Sequence, residues 1–384
     1  MKSRQRRVLR QAAIAVLSGL AVSFAGAQEL VIGQVSSQTS PVTAMNAKGL
    51  YAGINVYFEY INAQGGINGR KLKLVNKDDQ LAQGKMIEQT KEFVADKNVI
   101  ALVAYQNTAG ITELAKSGVV GQSGIALIAP FQGDRSIVSA EGFYPFRSGY
   151  PDEVAAMVKE AVFQQKKRVA IVYQSATFGP SMLKLALDLA KEQKLPIVAE
   201  IRIETAIADK VEASVKEGGV EIAKVNPDAV FLMIGGRAAP LTVKAIKDST
   251  AQDAQIYAMS ILPSLETFKA AGDKSRGIVI TQAVPFPYSA TLPLVSQYQK
   301  LMKQYAPNET ISFTTLEGFI AGKITAEAIK RAGPNPTREK VIKALNAMGQ
   351  YDLGGVYVDY SPKARNGWGG VDLTIIGQNG KLLR

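Results

Sequence analysis

The sequence has 384 residues, of which 47% are hydrophobic and 20% are charged, so it can bury at least one large core and lacks the composition of a disordered chain. It contains no cysteine and no histidine. Their absence excludes thiol nucleophiles, disulfides, zinc sites with Cys or His ligands, and every Ser-His or Cys-His catalytic pair. The formal net charge of +12 raises nucleic acid or an anionic membrane as partners.

The first 27 residues have the pattern of a secretion signal. Five basic residues and no acid lie within residues 1–10, and an apolar run from Ala12 to Phe24 follows. The run is short for a bilayer span and ends in Ala25-Gly26-Ala27, the small-x-small pattern of a signal-peptidase site. We therefore expect cleavage before Gln28 and export to the periplasm by general secretion. A twin-arginine signal at Arg6-Arg7 and an uncleaved anchor are the weaker alternatives.

Removal of this segment changes the interpretation of the charge. The net charge falls to +7, an ordinary surface bias that needs no nucleic-acid partner. After residue 28 no uninterrupted apolar stretch is long enough to span a membrane, and without cysteine the chain has no lipoprotein attachment site. We expect a soluble exported protein.

Strands and helices alternate along the remaining chain. The first series predicts helices at 50–61, at 85–95 and from about 109, between strands at 30–35, 71–75, 99–104 and 126–130. The second series predicts helices at 152–165, 181–193, 210–225, 241–248 and 265–271, which alternate with strands at 168–173, 197–203, 229–234, 256–259 and 277–281. Short apolar strands that alternate with helices are typical of parallel sheets covered on both faces, so we predict an α/β fold of two doubly wound lobes.

Ligands of open parallel sheets bind beyond the carboxyl ends of the strands, where helix N-termini direct N–H groups outward. In the first series, Asn107 or Thr108 can cap the next helix, and Gly133 allows close backbone approach. The candidate ligand-binding residues at these two strand ends are Gln106, Asn107, Thr108, Phe131, Gln132 and Gly133.

Three loops of the second series occupy equivalent positions. They contain Phe178-Gly179, Gly235-Gly236-Arg237 and Ser260. Each feature has an ordinary structural explanation as a helix cap, a turn or a solvated side chain. Their common place at strand carboxyl ends favours a ligand site.

A longer segment points to a family. Residues Ile61-Asn62-Ala63-Gln64-Gly65-Gly66-Ile67-Asn68-Gly69-Arg70-Lys71-Leu72, followed by Asp78-Asp79, resemble the signature of exported leucine/isoleucine/valine-binding proteins, the solute receptors of bacterial ABC importers. Phe146-Arg147-Ser148-Gly149-Tyr150 and the closing Asp372-Leu373 are also similar to this family. The likeness covers nearly all of residues 29–384. It implies a type I periplasmic binding fold, in which two lobes joined by three crossover strands close on a small ligand.

The resemblance also implies lobe boundaries and partners. Crossovers are expected near Arg147, near Ala283 and near Tyr351 to Gly355. Lobe 1 then comprises residues 29–147 plus 284–351, and lobe 2 comprises residues 148–283 plus 352–384. The implied partners are ABC permease subunits in the inner membrane, with the receptor itself a monomer that needs no cofactor or metal.

Carried over by position, the resemblance implies that the loops Gln106 to Thr108 and Phe131 to Gly133 hold a ligand carboxylate, while Phe178 supplies an aromatic wall. Arg237 stands where the family has a ligand-facing aromatic residue. The family's acid for an α-ammonium would fall near Ser260, where no carboxylate exists in the sequence.

This departure bears on the ligand. A desolvated ammonium beside Arg237 would cost free energy, whereas a guanidinium suits an acidic or carbonyl group. The solute is therefore predicted to be a carboxylate that need not be a branched-chain amino acid. Tyr150, Phe178 and Phe131 leave room for an aromatic or apolar body.

Other classes of function fit less well. A nucleotide-dependent enzyme would need a Gly-x-Gly-x-x-Gly turn after Val35 or a phosphate-binding Gly-Lys-Ser/Thr loop, and neither is present. A ligand-responsive DNA regulator needs a helix-turn-helix at the N-terminus, where the secretion signal lies. A ligand-binding subunit of an exported sensor stays open, because it shares the ligand chemistry and differs only in its membrane partner.

Overall fold

The computed structural model describes residues 28–40, 43–175, 179–205, 207–260, 271–361 and 367–384, except for the side chain of Arg135. Within these ranges the strands form two large sheets and one two-stranded hairpin. The predicted secretion signal lies outside the described residues. In the described part of the chain, no helix has the length and hydropathy needed to span a bilayer.

The first sheet has the strand order β2-β1-β3-β4-β5, with every neighbouring pair parallel. Its register places Leu30 opposite Leu72 and Val35 opposite Lys77. The strands are β1 (Leu30–Val35), β2 (Leu72–Lys77), β3 (Val99–Val103), β4 (Leu127–Ile128) and β5 (Phe143–Tyr144). Because these strands are apolar on both faces, helices cover both sides.

Different helices cover the two faces of this sheet. One face packs against α2 (Lys85–Ala95), α3 (Thr108–Ser117) and α4 (Val119–Gln122). The opposite face shares a core with elements from both ends of the chain, namely α1 (Ala44–Ala63), α9 (Pro293–Tyr305), α10 (Phe313–Arg331), α11 (Arg338–Asn346), β11 (Gln350–Asp352) and β12 (Tyr357–Asp359). We call the first sheet with these elements lobe 1.

Helices α1 and α10 lie side by side and run in the same direction. Their backbones touch at glycines: a Cβ atom on Gly53 would lie 2.0 Å from the Thr315 carbonyl oxygen, and one on Gly318 would lie 2.2 Å from the Leu50 carbonyl oxygen. Since α1 follows the carboxyl end of β1, the N-termini of both helices lie at the edge of the sheet where ligands are expected.

The second sheet has the order β14-β13-β10-β9-β8-β6-β7 and is parallel from β7 to β10, with β13 and β14 antiparallel at one edge. Helices α5 and α6 cover one face, and α7 and α8 cover the other. The strands are β6 (Val169–Gln174), β7 (Ile197–Ile203), β8 (Ala229–Met233), β9 (Gln255–Ala258), β10 (Val279–Gln282), β13 (Asp372–Ile376) and β14 (Leu382–Leu383). The helices are α5 (Tyr150–Phe163), α6 (Gly179–Glu192), α7 (Val211–Val225) and α8 (Ala238–Lys247). We call this unit lobe 2.

Short 3-10 helices complete the described chain at Arg135–Ile137, Ala208–Lys210, Gly272–Ser275 and Gln378–Gly380. The predicted alternation of strands and helices matches these elements closely, except that nearly all of the predicted helix at 265–271 lies outside the described residues. The predicted lobe boundaries stay predictions. Leu353, Val356 and Tyr360 pack in the core of lobe 1, while β13 pairs within lobe 2. These contacts indicate that the third crossover from lobe 1 to lobe 2 comes further along the chain than the predicted segment Tyr351 to Gly355.

Candidate functional site: the cleft between the lobes

Two of the predicted ligand-binding side chains form hydrogen bonds within lobe 1. Asn107 caps α3 by accepting a hydrogen bond from the Gly110 backbone N–H at 3.2 Å, and its Nδ2 donates to the buried Asp79 carboxylate at 2.8 Å. Gln106 is buried and its Oε1 accepts from the Ser37 backbone N–H at 3.3 Å. Both residues lie at the predicted strand end, but their side chains hold the loop structure.

The acidic pair after β2 fastens the loop that follows β1. Asp79 accepts a hydrogen bond from the Ser37 hydroxyl at 2.5 Å, and Asp78 accepts one from the Thr39 hydroxyl at 2.6 Å. Partial burial would raise the pKa of Asp78, but the bonds from Thr39 and from backbone N–H groups outweigh it and lower that pKa. This pair therefore has a structural role at the cleft edge.

Gln132, Gly133 and Tyr150 join lobe 1 to the first turn of α5. The Tyr150 hydroxyl donates to Gln132 Oε1 at 3.0 Å, and the Tyr150 backbone N–H donates to the Gly133 carbonyl oxygen at 2.7 Å. Gln132 Nε2 donates to the Thr108 carbonyl oxygen at 3.1 Å. A Cβ atom on Gly133 would lie 2.6 Å from the Tyr150 ring, so this glycine permits close packing. Burial raises the pKa of Tyr150 to about 12, with the charge of Arg147 opposing the shift.

Phe131 and Ser260 lie on either side of a residue that was not predicted to bind ligand, Arg147. The guanidinium carbon of Arg147 lies 4.4 Å from the centre of the Phe131 ring, and Nη2 donates to the Ser260 hydroxyl at 2.5 Å. The Arg147 side chain is only 2% exposed. One buried cation thus contacts predicted site residues of both lobes.

Two buried carboxylates flank this cation. Arg147 Nη2 lies 3.9 Å from Glu153 Oε1, and Arg147 Nε lies 3.8 Å from Glu317 Oε1. Burial alone would lower the pKa of Arg147, but Glu317 and Glu153 raise it above its ordinary value. Burial raises the pKa of Glu317 from 4.5 to about 7; Arg147 opposes this shift and Glu153 adds to it. Burial therefore favours the protonated form of Glu317, while the cation beside it favours the carboxylate.

The expectation that no carboxylate lies near Ser260 was wrong. Glu153 Oε2 accepts a hydrogen bond from the Ser260 backbone N–H at 2.8 Å and one from the Thr281 hydroxyl at 2.5 Å. Its Oε1 accepts from the Ser260 hydroxyl at 3.1 Å. The sequence search looked for an acid in the same loop, whereas this carboxylate reaches Ser260 from α5, 107 residues away along the chain.

Arg237 lies apart from this group. Its side chain is 63% exposed and forms an ion pair with Glu212 of the same lobe. It stands at the start of α8 without a capping side-chain bond. Phe178, the predicted aromatic wall, lies outside the described residues.

A cavity of about 460 Å³ opens between the lobes beside Ser260. Lobe 1 contributes residues at the start of α1, from Met45 to Gly49, and the segment Glu309–Thr315 that leads into α10. Lobe 2 contributes Ser260, Ile280, Gln282 and Leu382. Both lobes therefore form its walls, as a closing clamp requires.

Aromatic rings lie at this cavity. Tyr288 and Phe313 line it, with their ring centres 6.1 Å apart and nearly perpendicular. Phe286 packs against both rings, at 5.3 Å from Tyr288 and 6.1 Å from Phe313. Such edge-to-face groups leave ring faces for an apolar or aromatic ligand body.

The start of α1 gives the cavity a positive side. Its first turn contains no acid, and its cap residue Thr43 makes no side-chain capping bond. Lys48, one turn later, lines the cavity. By contrast, the Ser312 hydroxyl caps α10 by accepting from the Thr315 backbone N–H at 3.1 Å, and Glu309 adds a negative charge. An uncapped helix N-terminus with a lysine favours an anionic group.

Sequence reasoning did not single out Arg147 or its neighbours Glu153 and Glu317 as site residues. It also missed the cavity residues Met45, Lys48, Tyr288 and Phe313. Two signals were present. Glu317 interrupts an otherwise apolar stretch of α10, and Arg147 stands inside the segment that carried the family resemblance. In the described chain, no group of three His, Cys, Asp or Glu residues is arranged to hold a metal ion.

Comparison with known proteins identifies the relatives of this arrangement. The model of the periplasmic binding protein family matches residues 29–378. The chain belongs to this family. The sequence resemblance and the predicted type I periplasmic binding fold are thus confirmed. Proteins of this family are exported substrate-binding proteins.

Individual relatives are distant but cover most of the chain. The Leu/Ile/Val-binding protein homolog 1 of Brucella abortus is 25% identical over 321 residues, 81% of each chain. The leucine-, isoleucine-, valine-, threonine-, and alanine-binding protein of Pseudomonas aeruginosa is 23% identical over 354 residues, 90% of each chain. A crystal structure of a substrate-binding periplasmic protein from Ralstonia solanacearum has a TM-score of 0.84 and 26% identity, and the match covers 92% of this chain and 99% of that one.

Proposed function

We propose that this protein is an exported receptor that captures a small carboxylate or amino acid between its two lobes and delivers it to an ABC importer. The observation that carries the proposal is the cavity whose walls come from both lobes. Neither lobe alone can enclose a ligand there. The second set of contacts forms only on closure, so ligand shifts the equilibrium toward the closed form.

The chemistry of the cavity supports this ligand class. The uncapped start of α1 and Lys48 favour an anionic group, and Tyr288 and Phe313 suit an apolar or aromatic body. The Pseudomonas aeruginosa relative is named for binding five amino acids with small or aliphatic side chains. That name supports an amino acid as a ligand within the proposed class of small carboxylates.

The proposed function includes no bond-making step. The ligand enters the open cleft, the lobes close, and permease subunits in the inner membrane recognise the closed form. Signal-peptide cleavage before Gln28, a monomeric receptor and the absence of catalysis all belong to this proposal. The permease as partner separates it from an exported sensor, in which a receptor would recognise the same closed form.

Calorimetry on the purified mature protein tests the proposal. The panel contains aliphatic amino acids, dicarboxylates and aromatic acids, and we expect one-to-one binding of a member of one of these groups. Failure of every carboxylate to bind would contradict the proposal. Co-purification of the closed form with its membrane partner then separates a permease from a signalling receptor.

A further inference from the structure

Arg147 has hydrogen-bond donors that the protein leaves unused. A guanidinium carries five N–H donors. Nη2 donates to Ser260, but Nε and Nη1 are buried without a hydrogen-bond partner among the described residues. The flanking carboxylates at 3.8 and 3.9 Å neutralise charge but lie beyond hydrogen-bond distance. Buried charged donors without acceptors are costly, so this arrangement requires an explanation.

Neither neighbouring carboxylate is placed to accept these bonds. Both oxygens of Glu153 already accept bonds from lobe 2, namely from the Ser260 backbone and hydroxyl and from the Thr281 hydroxyl. Glu317 reaches Arg147 from α10 of lobe 1, and burial disfavours its charged form. The described residues therefore provide no hydrogen-bond acceptor for Nε and Nη1.

The position of Arg147 indicates what supplies an acceptor. Its guanidinium lies over the Phe131 ring of lobe 1 and bonds to Ser260 of lobe 2, and Ser260 also lines the cavity between the lobes. The contact with the Phe131 ring restrains the guanidinium, and its Nη1 and Nη2 end is a planar fork of the kind that binds a carboxylate. Arg237 of lobe 2, by contrast, is exposed and pairs with Glu212.

We propose that Arg147 is the residue that anchors the ligand's carboxylate, through its Nη1 donors at the end of the guanidinium that Nη1 shares with Nη2. This inference rests on the proposed function and deepens it by assigning the anion-binding group. The shared ligand chemistry is a carboxylate, which an α-amino acid and a simple organic acid both carry. Glu317, 3.8 Å from Nε, lies where an α-ammonium would find an acceptor, so the two sources of the carboxylate are separable by experiment.

The test compares each acid with its neutral amide. The probes are L-leucine with L-leucinamide, and benzoate with benzamide, titrated by calorimetry into the wild type and into R147K and R147Q. R147K keeps a charge beside the two carboxylates but loses the planar fork, so it is the variant designed to stay folded. R338K is the matched control, because Arg338 donates to the Val99 carbonyl oxygen at the amino end of β3 and to the Val94 carbonyl oxygen in the last turn of α2, away from the cleft.

We expect the wild type to bind an acid and to discriminate against its amide. R147Q should lose about 100-fold in affinity for the acid and little for the amide, with R147K between them and R338K unchanged. Binding of leucine alone assigns an amino acid, and binding of benzoate alone assigns a simple acid. A merely structural role for Arg147 would weaken acid and amide equally, which would overturn the inference.

Other outcomes separate this inference from the proposed function. Wild-type affinity for the acid in folded R147Q overturns the inference and leaves the function standing. Absence of carboxylate binding by the wild type overturns both. A crystal structure of the wild type with the bound probe does not depend on the variants: a carboxylate oxygen about 3 Å from Arg147 Nη1 supports the inference, and one bound elsewhere contradicts it.

Discussion

Two buried polar clusters lie at the cleft, and they differ in how many of their hydrogen-bond donors and acceptors have partners. The lobe 1 cluster centres on Asp79, whose oxygens accept bonds from Ser37 and Asn107. The second cluster centres on Arg147, which has two donor nitrogens without a hydrogen-bond partner in the part of the chain that the structure describes. A fully satisfied network rigidifies a loop, whereas a partly satisfied one is costly unless a ligand completes it. We therefore assign a structural role to the Asp79 cluster and a ligand-binding role to the Arg147 cluster.

The largest expected effect is the removal of Glu153, one of the two carboxylates that flank Arg147. Glu153→Ala should lower the free energy of unfolding by about 3 to 5 kcal/mol, because the buried cation loses one of its two counter-charges and the bonds from Ser260 and Thr281 lose their acceptor. Urea denaturation measures this change. Glu92→Ala, which removes an exposed ion pair with Lys77, is the control and should cost less than about 1 kcal/mol. If both variants lowered the free energy of unfolding by a similar small amount, Glu153 would not be a counter-charge of the buried Arg147.

The pH dependence of stability tests Glu317. Its pKa in the folded protein is about 7, above the ordinary 4.5, so the folded protein holds a proton that the unfolded chain releases between these values. The free energy of unfolding should therefore fall as pH rises through this window, by up to about 3 kcal/mol. Glu317→Gln should remove that fall. Denaturation curves at about pH 5 and about pH 8 check it; an equally steep fall in both proteins would refute the assignment.

Substitution in the Asp79 cluster should lower the stability of the protein without changing its affinity for ligand. Asp79→Asn weakens two buried hydrogen bonds to a charged group and should lower the free energy of unfolding by about 2 kcal/mol. The affinity for a carboxylate probe should not change, because those bonds stay within lobe 1. Asp78→Asn, at the more exposed neighbour, is the matched control with a smaller cost. If Asp79→Asn lost affinity for the probe but kept its stability, the structural role assigned to the Asp79 cluster would be wrong.

The smallest expected effect concerns the aromatic wall. Phe313→Ala removes one ring of the edge-to-face group and should weaken binding of a ligand with an aromatic body by about tenfold, equivalent to roughly 1.4 kcal/mol. Calorimetry with the probe that the wild type binds measures this change. Phe163→Ala, at a ring that is 80% exposed on lobe 2, serves as the control. Equal affinities for wild type and Phe313→Ala would show that the body of the ligand lies elsewhere.

The sequence predicted the layered architecture because apolar strands and helical periodicity are local signals. It also predicted ligand-binding roles for Phe131 and Ser260 because both follow strand carboxyl ends, and these roles stay predictions. It did not identify the partners of Arg147. Glu153 meets Ser260 across 107 residues and Thr281 across 128, and no local pattern records such pairings. In the sequence alone, Glu317 cannot be told from a surface glutamate of a helix, because its burial depends on the packing of α10 against α1 at the cleft.

Small-angle X-ray scattering during titration with the carboxylate that calorimetry identifies tests the central claim most directly. The account predicts that the radius of gyration falls in proportion to the bound fraction, as the two lobes close on the ligand. Saturating binding with no change in the scattering curve would contradict it, because the ligand would then occupy a site that one lobe already provides.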